Sequence, residues 1–141
     1  VARIRRIDDI ATADAAFEVA ADSLDELFAA AAVAVLSVAC DPHSLAPAHR
    51  FSFSLLGSTL QDLLYDFLSE VVFIMDTESL LLAEVSVRID RSAVSLAAEL
   101  RGERADPSRH DLGVGVKAVT MYRFELTETP DGWLARFVVD L

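Results

Sequence analysis

Apolar residues recur along this chain with two different periods, and the order of those periods limits the folds open to it. Period two dominates. His49 to Leu55 places Phe51, Phe53 and Leu55 on one side, and Leu81 to Ile89 does the same with Val85, Val87 and Ile89. A shorter run spans Val94 to Leu100. The longest alternation runs from Val114 through Val116, Ala118, Thr120, Tyr122 and Phe124 to Leu126, and the last joins Trp133, Ala135, Phe137 and Val139. Thr129-Pro130-Asp131-Gly132 between those two is turn chemistry and predicts an antiparallel hairpin. Phe17 and Val19 belong to an early strand, with Ile4 to Ile7 read as another.

Two stretches switch to helical spacing. The first opens at Ser23-Leu24-Asp25-Glu26, a hydroxyl cap with a carboxylate three residues on, and continues through Leu27, Phe28, Ala31, Val35 and Val38 until Asp41-Pro42 ends it. The second opens at Thr59-Leu60-Gln61-Asp62 and carries a broad apolar stripe from Leu60 to Met75. Asp62, Asp66 and Glu70 lie on a different face, read as solvated. Helices set among strands and hairpins, without strict βαβ alternation, predict an α+β domain. The expected architecture is two helices covering one face of a largely antiparallel sheet, in one domain over 1–141.

Charge and composition exclude several functions. Twelve Lys and Arg against 23 Asp and Glu leave a formal net charge of −11. A chain this acidic repels phosphate backbones, which argues against direct non-specific nucleic-acid binding. A single Cys forms no internal disulfide and fits a reducing cytoplasm. No apolar run reaches the ~20 residues that span a bilayer, and no apolar segment follows the basic start, so neither membrane span nor signal peptide is expected.

Few residues offer chemistry. His43, His49 and His110 lack HxxH, HxH or HExxH partners, and His43 and His110 read as solvent-exposed loop residues. Cys40 sits at the negative end of the first helix, which raises a thiol pKa and suits a small core residue. No Ser stands in a GxSxG elbow. Gly113-Val114-Gly115-Val116-Lys117 lacks the spacing of a phosphate loop and leads into a strand. On the apolar phase of that strand, Lys117 projects to the side opposite Ala118, with Val119 and Met121. There it either pairs with a carboxylate or snorkels to water.

The chain end is more informative. The last strand buries odd residues, so Asp140 faces away, beside the terminal carboxylate of Leu141. Two anions this close repel unless a cation or donors lie between them. Asp14, ahead of the Phe17 strand, is the candidate third oxygen ligand for a hard cation, Ca²⁺ or Mg²⁺. The alternative is a frayed, solvated cluster of acids.

Several blocks resemble the archease family. Thr12-Ala13-Asp14 followed by Ser23-Leu24-Asp25-Glu26-Leu27-Phe28 resembles its opening pattern, D-H-T-A-D then S-L-E-E-x-F. Leu60 to Glu70 looks like its second helix, and Phe73 to Glu78 follows as it does there. Gly102-Glu103, Arg109-His110 and Val116-Lys117-Ala118-Val119-Thr120 resemble its G-E…R-H…V-K-A-x-T stretch, and Asp140-Leu141 matches its usual ending. Two departures stand out. Ile10-Ala11 replaces the family's D-H, where Asp9 substitutes for the Asp only if the strand bulges. Thr120-Met121-Tyr122 replaces T-Y-H.

The resemblance implies a small acidic cofactor of an RtcB-type RNA ligase, which joins RNA ends in tRNA splicing and RNA repair. It implies a non-catalytic role in ligase guanylylation and turnover, a metal site at Asp14, Asp140 and Leu141, and a functional Lys117. The alternatives are a stand-alone metal-dependent phosphoester hydrolase using Asp14, Asp140 and His110, or a chaperone-like module for other RNA-processing proteins.

Overall fold

A computed structural model describes residues 2–7, 14–41, 45–108, 110, 112 and 115–141. In chain order the elements are β1 (Arg3–Ile7), β2 (Asp14–Ala21), α1 (Leu24–Ser37), β3 (His49–Leu56), α2 (Leu60–Thr77), β4 (Leu80–Asp90), β5 (Ser95–Arg104), β6 (Ala118–Val119), β7 (Glu125–Thr129) and β8 (Gly132–Asp140).

Local chemistry starts both helices where the caps predict. The Ser23 hydroxyl accepts from the Glu26 N–H at 3.2 Å, and the Thr59 hydroxyl accepts from the Asp62 N–H at 3.0 Å. The acids of each first turn lie at the positive end of the helix dipole. α1 ends at Ser37, four residues before Asp41, and the expected terminator Pro42 lies outside the described residues.

The strands form two antiparallel sheets among the described residues, not one. The larger runs β1-β2-β8-β6, with β7 also paired to β8, and the smaller runs β3-β5-β4. Helix α1 packs against β2, β4 and β8, and so touches both sheets; α2 packs on α1, β3, β4, β6 and β7. The core between them is built from Phe17, Phe28, Phe67 and Phe137 with leucines of both helices. Full burial of such a side chain stabilises the fold by about 1.5–3 kcal/mol.

The long alternation from Val114 to Leu126 is not one strand. β6 is two residues long, and the chain turns at 121–124 before resuming as β7. The phase is also reversed: Val119 is buried and Ala118 exposed. The hairpin across Pro130 and Asp131 forms as predicted, β7 pairing with β8 from Glu125↔Arg136 to Thr129↔Gly132.

Candidate functional site

Strand register brings the predicted acids together. Asp14 opens β2, Asp140 closes β8, and the two are register partners. Residues directly opposite on antiparallel strands share a face, with Cβ atoms about 4.5–5.5 Å apart. Both strands send odd residues into the core, among them Ala15, Phe17, Phe137 and Val139. Asp14 and Asp140 therefore sit on the outer face, away from the helices. On its other side Asp140 opposes Ala118, and its carbonyl accepts the Lys117 N–H at 2.8 Å. Asp14, Asp140 and Lys117 thus occupy neighbouring positions on three adjacent segments, with Leu141 half-buried against the core.

The two carboxylates meet no compensating charge. Neither aspartate side chain has a hydrogen bond or ion pair, and the exposed Lys117 ammonium has no carboxylate partner, among the described residues. Both outcomes left open for Lys117 are decided in favour of water.

Helix α2 holds the third segment in place. The Tyr65 hydroxyl donates to the Val119 carbonyl at 3.1 Å, and its ring meets Phe124 edge-on at 5.4 Å. One turn earlier, the Gln61 side-chain oxygen accepts the Leu126 N–H at 3.1 Å. These (i, i+4) side chains line one edge of α2. Apolar periodicity does not single them out, because they act through polar atoms.

Thr120 continues the β6 register, its N–H donating to the Val138 carbonyl at 3.0 Å. That places it one cross-strand row from the aspartates, about 6–7 Å along the sheet. Its hydroxyl is buried and has no hydrogen-bond partner among the described residues. Two unneutralised carboxylates and an orphaned buried hydroxyl are the hard oxygen donors that Ca²⁺ or Mg²⁺ takes. Among the described residues no three Asp, Glu, His or Cys side chains are grouped to hold a metal. A cation there would therefore complete its shell with main-chain, terminal or water oxygens.

His110 corrects a sequence expectation. Its imidazole is only 6% exposed and bonds the Glu103 carboxylate through Nε2 at 3.0 Å. The Asp106 N–H donates to Nδ1 at 2.8 Å, so Nδ1 is the acceptor and Nε2 carries the proton toward Glu103. The other Glu103 oxygen accepts the Ala46 N–H at 2.6 Å. Both ring nitrogens are thus engaged, and His110 has none left for the hydrolase reading. Cys40 is half-buried just past α1, and burial, then Asp41 and Glu103, push its thiol pKa up. His49 is exposed at the start of β3. Asp9, Thr12, Ala13, His43, Arg109, Gly113 and Val114 lie outside the described residues.

An α+β protein of two helices on antiparallel sheets, with an anionic pair where two strand ends meet, defines the structural class. The solution structure of protein 1598 of Methanobacterium thermoautotrophicum is similar over 98% of both chains, with a TM-score of 0.85 and 31% identity. The crystal structure of an archease, a possible chaperone, from Thermotoga maritima shares the fold at a TM-score of 0.65 and 19% identity, covering 97% of this chain and 98% of that one. The archease protein family model matches residues 5–141. The archease of Pyrococcus abyssi is 33% identical over 92% of this chain and 94% of its own length, and that of Methanopyrus kandleri is 33% identical at the same coverages. The chain belongs to the archease family. Among the described residues no helix is long and apolar enough to cross a membrane.

Proposed function

We propose that this chain is a cytoplasmic protein cofactor of an RtcB-type RNA ligase, promoting the ligase's guanylylation and turnover in tRNA splicing and RNA repair. It performs no ligation itself. The observation that carries the reading is the cross-strand register of Asp14 and Asp140, two carboxylates without a charge partner among the described residues. Family membership supports it.

The net charge of −11 draws the domain toward a basic nucleotide- or RNA-binding cleft on the ligase. Asp14, Asp140 and, in a chain ending at Leu141, its terminal carboxylate are the oxygen donors presented there. Bound Ca²⁺ or Mg²⁺ would neutralise these carboxylates. Lys117, exposed on the neighbouring segment, contacts the partner. Activation then follows from unequal affinity for two ligase states, because a partner that binds both equally shifts neither.

The test is a guanylylation assay with purified ligase and the Asp14→Ala and Asp140→Ala variants. Each variant should keep its circular dichroism spectrum, lose stimulation and lose any thermal stabilisation by added Ca²⁺. Normal stimulation by both would falsify the reading.

A further inference from the structure

We propose that the outer face of the five-stranded sheet carries a second site, for a small ligand with an oxyanion on an apolar body. Its floor lies one same-face row along the sheet from the aspartate pair. A cleft of about 490 Å³ opens on this face between β1, β2, β8 and the 123–125 segment. That is within the size range of small-molecule sites.

Its floor is apolar where an outer face would normally be polar. Ala16 and Val138 are 2% and 3% exposed, yet they lie on the side of the sheet opposite the odd-numbered core residues and stand outside the core cluster. They are register partners, with Ile7 next to Ala16 in the same row.

One wall is a ladder of alternating charge. Arg5, Glu18, Arg136 and Glu125 are successive register partners across four strands. Arg136 Nε donates to Glu18 Oε2 at 2.8 Å, and an Arg5 terminal nitrogen approaches the same oxygen at 3.2 Å. One carboxylate oxygen thus holds two guanidinium groups at the cleft and leaves N–H groups on both.

The rim adds a cation with no such partner. Arg123 lines the cleft, stacks on Tyr122 at 5.1 Å, and makes no ion pair among the described residues. Its φ of 53° is in the left-handed region, which costs a non-glycine residue energy and is concentrated at functional sites. Three arginines against two glutamates make this cleft locally cationic on a chain of net charge −11. The surrounding field excludes polyanions, while one carboxylate or phosphate fits the guanidinium forks. Half-buried Ile7 and the aliphatic stems of the lining arginines take the flat or alkyl remainder.

The experiment is an NMR titration of the full chain in EDTA, with phenyl phosphate in one arm and benzoate in the other. Saturable shifts at Ala16 and Val138 are expected in at least one arm, and the tighter arm tells phosphate from carboxylate. Arg123→Asn, a side chain that tolerates the left-handed backbone, should weaken binding about ten-fold. No saturable shift in either arm, unaltered affinity in Arg123→Asn, or shifts centred on Asp14 and Asp140 would each overturn the proposal. The last outcome would leave the ligase reading intact, so the two stand or fall separately.

Discussion

At the scale of single residues, Glu103 and His110 show how a polar pair is made indispensable by burial. Each side chain is less than one-tenth exposed, and together they link the end of β5 to the loops at Ala46 and Asp106. Replacing His110 by Ala removes the donor to a buried carboxylate and should cost about 1–3 kcal/mol in urea unfolding. A loss within error would mean that water replaces the imidazole freely. Glu18 makes a pH prediction with a definite sign. Bonding to Arg136, with further help from Arg5, holds its pKa below the ordinary 4.5. A depressed folded-state pKa contributes stability above the unfolded value and loses it as pH falls through the folded one. The gap in stability between the native chain and Glu18→Gln should therefore be largest at neutral pH and shrink below about pH 4.5. Denaturant midpoints across that range check it. The outward face of Asp140 is legible in the sequence from strand parity, but the juxtaposition with Asp14 is not, because it depends on which strand pairs with β8. The Glu103–His110 bond is not legible either, since nothing in a loop histidine's neighbours says that a strand-end carboxylate lies beside it.

At the scale of elements, interactions that span only a few residues are legible in the sequence. Ser23 and Thr59 cap their helices through hydroxyls that reach only three residues ahead. Period two locates the strands but not their partners, so the single expected sheet is two among the described residues. The even-numbered alternation through Val114–Leu126 reads straight across the 121–124 turn, although the inward parity changes there from Val119 in β6 to Leu126 in β7. The pattern therefore gives no sign of the break between β6 and β7. Gly102 explains one block of the family resemblance physically. It faces Leu82 where β4 and β5 shift register, and a Cβ there would collide with the Leu81 carbonyl. Gly102→Ala should thus force the bulge apart and destabilise the chain by about 1–3 kcal/mol, read as a lowered Tm. An unchanged Tm would mean the two strands separate there at no cost.

At the scale of the whole molecule, excess negative charge is the long-range property that a partner meets first. If the ligase reading holds, association with the ligase should slow steeply as salt rises from low to physiological strength, where the screening length falls to about 8 Å. Stopped-flow association rates that ignore salt would remove steering from the mechanism. Sheet order carries a different consequence. β2 is made early, but its neighbour β8 is separated from it by the whole of the smaller sheet and both helices. During synthesis on the ribosome, the inner edge of β2 stays open until residues 132–140 emerge, and pairing this remote in sequence is slow to form. The aspartate pair comes into being only at that last closure. A nascent chain that has not yet delivered residues 132–140 lacks the paired acids altogether.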